Sequence, residues 1–310
     1  MSATLPKVAV LLPTFNGASY LKEQIESIIA QTSVKVVIYY HDDGSDDDTV
    51  SILQSYENYV VEIEGPPTGG AAKNVYYLLT QVDWAEFDFV ALADQDDIWL
   101  PDKLSRALSI INNIACAAYS SNVQAFWEDG STKEIIKSQK QKQFDFLFEA
   151  GGPGNTHVYS ILCANAIREF LIELNPLIRS KIELHDWLIY AYCRHNGITW
   201  IIDDYSSLCY RQHGSNVMGA SGSYKQWFRR ATLLFGDWYF EQVRLIMIAI
   251  SFRNGKQRFF TDYAPLDSFF WVLRTFDLRR KKSEAIVLSA AIFLRFLKHF
   301  YGKSHLRKHD

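Results

Sequence analysis

Asp94, Gln95, Asp96 and Asp97 put three carboxylates and an amide into four consecutive positions, directly after the apolar run FDFVALA at residues 87–93. Carboxylates crowded this closely repel one another unless a positive charge intervenes. Hard oxygen ligands in such a cluster suit Mg2+ or Mn2+, ions that commonly complete their coordination with substrate phosphates. Asp94 and Asp96, spaced as Asp-x-Asp at a strand end, are therefore expected at a metal or a ribose. Asp42 and Asp43 in YYHDDGSDDDT follow a second apolar run. His213 in YRQHGSNVMG stands between a strand-like segment and a glycine-containing loop, where an imidazole meets a metal from another side than the carboxylates. Each feature also has a plainer account: DDGS is ordinary turn chemistry, Asp97 or Asp102 fits a helix cap around PDKL, and a lone loop histidine is usually solvated.

Something must carry these groups to one edge, and the first hundred residues supply it. Apolar runs of strand length, KVAVLLP, VKVVIYY, YVVEIE and FDFVALA, alternate with segments of helical period. This is the pattern of successive strand-helix units around a mostly parallel sheet. Pro13 is expected to stop the first strand, and Ser19 to cap a helix whose apolar positions are Leu21, Ile25, Ile28 and Ile29. In open α/β sheets ligands bind at the carboxyl ends of the strands, which places both acidic groups on the functional edge. The pattern is that of an α/β nucleotide-binding protein, without a G-x-G-x-x-G or G-K-[ST] phosphate loop. Beyond it, CAAYSSNVQAFW, ITWIID and SSLCYRQHG read as further strands, and the chain turns helical from Val158, with LHDWLIYAYCRH an amphipathic helix. A domain boundary is expected near Ser221, dividing 1–221 from a helical region at 222–310.

Composition agrees with a folded protein: 310 residues are 48% hydrophobic and 15% aromatic, enough for one large core or two unequal ones. Its four cysteines form no Cys-x-x-Cys pair and are expected as buried free thiols. The N-terminal segment lacks the features of a signal peptide, so a cytosolic protein is expected. From Tyr224 onward there are 17 Lys and Arg against 7 Asp and Glu, while the upstream body is acidic. A body that holds cations and a tail that meets an anionic surface fit this asymmetry, as does a solvated helical face.

VAVLLPTFNGASYLKEQIESIIAQT, DDGSDDDT and LADQDDIWLPDKL, in this order and spacing, resemble the family 2 glycosyltransferases of the GT-A fold, and among them the bacterial rhamnosyltransferase-like members that build surface polysaccharides. The likeness runs from about Val8 to Gly219. It implies a nucleotide-sugar donor, a divalent metal, Mg2+ or Mn2+, and inversion at the anomeric carbon. Carried over by position, Pro13, Thr14, Phe15 and Asn16 would line the nucleotide pocket and Asp43 would read the base. Lys73 and Asn74 would face the same pocket, Lys73 being equally compatible with a solvated helix position. Asp94, beside Gln95, would contact the ribose, and Asp96 would bind the metal bridging the diphosphate. His213 would be a metal or diphosphate ligand, with Arg211 or Gln212 at phosphate. Gly214, Ser215, Asn216 and Gly219 suit a loop closing over the donor.

An acceptor hydroxyl attacking an anomeric carbon needs a base opposite the leaving group. HDW, at residues 185–187, resembles the place where the family carries its catalytic Asp, which makes Asp186 the expected general base. His185 stands where many relatives have Glu, and would orient the acceptor or bond Asp186; either His185 or Asp186 would otherwise merely cap a helix. The glycine-rich GGPGNTH, residues 151–157, offers Asn155 and Thr156 to acceptor or donor sugar. Trp99 and Trp187 would stack on sugars or be buried. The closest resemblance favours dTDP-L-rhamnose as donor and a glycan or lipid-linked acceptor. A UDP-hexose donor, or a non-catalytic nucleotide-sugar-binding module, is the alternative. The basic, aromatic tail has no uncharged stretch long enough to span a bilayer. It would lie on a membrane surface, or pack on the catalytic domain or a second subunit. No nucleic-acid-binding motif accompanies its charge.

Overall fold

The computed structural model describes residues 4–213, 236–252 and 270–306, with side chains to 297. The chain divides into two compact units, one of residues 1–138 with 151–220 and one of 139–150 with 221–310. Ser221 and the glycine-containing loop from Gly214 to Gly219 lie outside the described residues.

The first unit is built on a nine-stranded mixed sheet. Its first half alternates strand and helix: β1 (Lys7–Thr14), α1 (Ala18–Ile29), β2 (Lys35–Asp42), α2 (Thr49–Ser55), β3 (Val60–Glu62), α3 (Ala71–Gln81) and β4 (Phe89–Leu92). These four strands are mutually parallel, in spatial order β3, β2, β1, β4. Val8 to Leu12 of β1 are fully buried, as a central strand covered on both faces requires. Leu21, Ile25 and Ile28 of α1, one face at helical spacing, pack against Val8, Val10 and Leu12 in the same core.

Two local expectations are corrected here. β1 continues through Pro13 to Thr14. Ala93 donates to the Leu11 carbonyl and the β4 ladder ends there, so the missing proline N–H falls beyond the last bond on that side. Ser19 does not cap α1, which starts at Ala18. Its first amides are served across the sheet edge instead, Gly17 donating to Thr49 Oγ1 at 2.8 Å and Ala18 to Asp47 Oδ2 at 3.1 Å.

The second half extends the sheet antiparallel. β5 (Ile98–Trp99), α4 (Lys103–Ile111), β6 (Ala117–Trp127), β7 (Thr132–Ile135), β8 (Val158–Ser160), α5 (Ile161–Glu173), α6 (Pro176–Arg179), α7 (His185–His195) and β9 (Thr199–Gln212) follow. Val158, expected in a helix, opens the short strand β8, inserted between β4 and β6. Three residues are too few to show a strand period, and the open side of β4 decides their conformation. ITWIID and SSLCYRQ form one strand, β9, which runs parallel to β6 through two register shifts and pairs antiparallel with β5. The four cysteines are free, Cys163 and Cys193 buried.

The second unit contains α8 (Asp237–Ser251) and α9 (Lys282–Leu306). Segment 139–150 belongs to it through Arg280, whose guanidinium lies 3.7 Å from Asp145 and 3.1 Å from Glu149 with no exposure, and through Phe144 and Phe148, which pack edge-on against Trp271. Among the described residues no helix is long and apolar enough to cross a membrane.

Candidate active site

β1, β2 and β4 end side by side, so their loops meet at one edge. At the end of β1, Thr14 is buried and gives its hydroxyl to Asp42 Oδ2 at 2.9 Å. Phe15 is 53% exposed, and its backbone forms a reciprocal pair with the Gln95 amide, donating to Oε1 at 2.9 Å and accepting from Nε2 at 2.8 Å. Asn16 adopts a positive φ of 46° and accepts the Asp46 amide at 2.9 Å. Gly17 leaves room for this pair: a Cβ would stand 2.4 Å from Gln95 Oε1 and displace the amide.

Asp43, after β2, accepts hydrogen bonds from the amides of Thr68, Gly69 and Gly70. Burial pushes its carboxyl up, but these donors outweigh it and hold the group below the usual range. Asn74 is buried and bonds His41 twice, through Oδ1 to Nδ1 at 3.0 Å and through Nδ2 to the carbonyl at 2.9 Å. It braces the end of β2 and does not present its amide to a pocket. Lys73 is half-buried on the same helix turn.

The β4 cluster has the opposite character. Carboxylate oxygens of Asp94, Asp96 and Asp97 lie within 4.8 Å of one another. Burial, then the charges of Asp96 and Asp186, push the Asp94 carboxyl up to about 7. Burial and the charges of Asp94 and Asp96 raise Asp97 as well. Asp97 is fully buried and already held, by the Asn155 side-chain amide and by Arg211 N at 3.1 Å. His213 Nε2 lies 2.8 Å from Asp96 Oδ2 and its ring stacks on Tyr20 at 4.9 Å. Three crowded carboxylates and an imidazole form a donor set that fits a hard divalent cation, which would relieve their repulsion.

α7 closes the far side. Asp186 lies in its first turn, where the Trp187 amide donates to Oδ1 at 2.8 Å. Burial raises the Asp186 carboxyl, against the pull of His185 and that amide. His185 is pushed down by burial, against the charge of Asp186. A Cβ on Gly154 would stand 2.3 Å from His185 Nε2, so glycine there is what lets the imidazole approach the GGPGNTH turn. Asn155, next in that turn, reaches back to Asp97, and the two halves of the site are thereby joined.

Several residues expected at ligands make contacts within the protein. Asn155 and Thr156 are fully buried, Asn155 on Asp97 and Thr156 Oγ1 on the Pro153 carbonyl at 2.7 Å. Trp187 and Trp99 are each 2% exposed and belong to the core. Arg211 directs its guanidinium to the Asp96 carbonyl at 2.9 Å and to Glu23 of α1, which locks the β4 loop to that helix. Asp102 precedes α4 but makes no capping bond with its side chain, which instead accepts the Tyr205 hydroxyl at 2.9 Å.

One residue escaped notice in the sequence. Lys103, fully buried, sets its ammonium 3.5 Å from the Trp99 ring centroid. Burial pushes it down to about 7, against the charge of Asp97. It is an amine built in behind the acidic cluster. The available signal was its spacing, since Lys103, Ala107 and Ile111 share the buried face of α4.

Comparison with known proteins gives the following. The family model described as glycosyl transferase family 2 matches residues 9–174. A dTDP-rhamnosyl transferase, RfbG of Shigella flexneri, is 35% identical over 293 residues, 91% of this chain and 99% of that one. Among solved structures, S. aureus TarS 1–349 in complex with UDP-GlcNAc superposes with a TM-score of 0.51 at 15% identity, covering 96% of this chain and 92% of that one. The mannosyltransferase PcManGT from Pyrobaculum calidifontis, in complex with GDP-Man and Mn2+, gives 0.51 at 15% identity, covering 97% and 88%.

Proposed function

The chain belongs to glycosyl transferase family 2, has the GT-A fold and is a glycosyltransferase; from this we propose that it transfers L-rhamnose from dTDP-L-rhamnose, with inversion and with a divalent metal, to a glycan or lipid-linked saccharide in surface polysaccharide synthesis. The donor assignment is supported by the near full-length likeness to a dTDP-rhamnosyl transferase. The observation that carries the mechanism is electrostatic. Burial first, and then the charges of Asp96 and Asp186, raise Asp94, so the acidic loop after β4 and the first turn of α7 lie within one electrostatic neighbourhood.

In this mechanism the nucleotide lies along Pro13 to Asn16 and the Asp43 loop, with Asp94 at the ribose. Asp96 and His213 would hold Mg2+ or Mn2+, with Asp94 beside them, and the ion would offset charge that builds on the departing diphosphate. Asp186 takes the proton of the acceptor hydroxyl on Oδ2, Oδ1 being fixed by the Trp187 amide. The acceptor oxygen bonds C1 from the face opposite the diphosphate as the C1–O bond to the leaving group breaks. Burial helps by making Asp186 a stronger base than an exposed carboxylate.

The test is release of nucleoside diphosphate from dTDP-L-rhamnose and a panel of UDP-hexoses with Mn2+ and a saccharide acceptor. Asp186→Asn is expected to lower turnover by about a hundredfold or more while donor affinity by calorimetry is kept. Unchanged turnover in that variant removes Asp186 as the base. Turnover with a UDP-hexose alone replaces the donor, and donor binding without turnover on any acceptor leaves a binding module.

A further inference from the structure

α9 is apolar on two opposite sides. Ala285, Leu288, Ala291 and Ile292 are buried against its own unit. Ile286, Val287, Ala290, Phe293 and Leu294, at positions i, i+1, i+4, i+7 and i+8, form the other face and are exposed. Ile286 is 56% exposed, Phe293 44% and Leu294 52%. Fifteen large apolar side chains are exposed among the described residues, and seven of them fall within residues 270–294, with Phe270, Leu273 and Phe276 adding to those on α9. Scattered exposure is normal for a folded chain, but concentration of this kind marks an interaction surface.

Charge identifies what the surface meets. Residues 279–308 contain nine Lys and Arg and one acidic residue, Glu284. Part of this charge is used within the unit: Arg279 and Lys281 face Glu284, Arg280 faces Asp145 and Glu149, and Arg295 lies 2.7 Å from Asp237. Lys282 stands exposed at one end of the apolar face, and the sequence of α9 carries Lys298 and Lys303 beyond the other. Two copies meeting through this face would bring like charges together. An anionic surface matches both the apolar stripe and its basic flanks. Among the described residues no helix is long and apolar enough to cross a membrane, and a stripe on one face of α9 suits lying along the surface.

We propose that the exposed face of α9 docks on an anionic lipid bilayer, with Ile286, Val287, Phe293 and Leu294 entering the headgroup boundary and the basic flanks at the phosphates. This deepens the acceptor assignment and rests on it only for its purpose, since an enzyme working on a lipid-linked saccharide gains from residence at the membrane. The surface itself follows from α9.

Full-length protein is floated with vesicles of phosphatidylglycerol and phosphatidylcholine and, separately, of phosphatidylcholine alone. Flotation is expected with the anionic vesicles only, weakened by high salt. The double substitution Phe293→Ser and Leu294→Ser is expected to lower that binding by about tenfold or more, with circular dichroism, melting temperature and diphosphate release in solution unchanged. Failure of the wild type to float, or equal flotation by the variant, overturns the proposal. So does a wild-type dimer in sedimentation equilibrium that the double variant abolishes, which would give the face to a second copy. Because flotation is read without turnover, its failure leaves the donor and base assignments standing, and their failure leaves it standing.

Discussion

Asp43 and Asp47, after β2, each collect backbone amide donors, and their carboxyls are held below the ordinary range. Asp94 and Asp97, after β4, crowd against Asp96 and are pushed above it. Both groups sit at the carboxyl ends of parallel strands that flank β1, and both read in sequence as aspartate runs. The difference lies in what faces the oxygens. Asp42 accepts from Ser45 N at 2.7 Å and Asp47 from Ala18 N, so these carboxylates stabilise the turn that supports the loop after β1. Around the β4 cluster each carboxylate meets other carboxylates. The first arrangement is complete in itself, whereas the second gains most from an added cation. A run of aspartates is thus no metal site until its oxygens are shown to lack enough donors.

The largest effect expected from this contrast is on turnover. Asp96→Asn is expected to lower diphosphate release by about a hundredfold or more, and to abolish the rise in melting temperature that Mn2+ gives the wild type. A variant that keeps both the rate and the Mn2+ shift would put the metal elsewhere.

A smaller effect is expected from pH. Asp94, raised to about 7, keeps its proton through mildly acidic conditions and competes with a cation there. Apparent Mn2+ affinity by titration calorimetry is expected to climb between about pH 5 and 7 and then level off. The β2 carboxylates run the other way. Their folded values lie below the unfolded ones, so their stabilisation is full above the unfolded value and is lost only as acid carries the pH down through the folded one. Affinity flat across that range would remove the raised Asp94 from the site.

The smallest effect tests the β2 turn as scaffold. Asp47→Ala removes the acceptor that serves the first turn of α1 and Thr49, and is expected to cost about 1 kcal/mol in urea unfolding. Mn2+ affinity should not change. A loss of affinity with no loss of stability would merge the two groups that the structure separates.

Much of the architecture was legible because it is local. The apolar runs of β1, β2 and β4, the helical spacing of Leu21, Ile25 and Ile28, and the order of the motifs all lie within short windows. What was not legible depended on partners far along the chain. Ser19 looked like a cap, but Asp47 and Thr49 serve that helix from about thirty residues away. Arg211 read as a phosphate contact, and its partner Glu23 on α1 could not be foreseen from its neighbours in the chain. Asn155 and Thr156 looked available, and the fold buries them both.

The sequence by itself determined which chemistry was possible: carboxylates at two strand ends, a histidine after the last strand and an aspartate opening a helix. These follow from residue type and short-range periodicity. Tertiary structure decided which of those groups are already satisfied, because hydrogen bonding and burial depend on what the fold brings from elsewhere. Lys103 shows the division most plainly. Its charge is written in the chain, but only the packing of α4 sends that charge inward, behind the aspartates and onto Trp99.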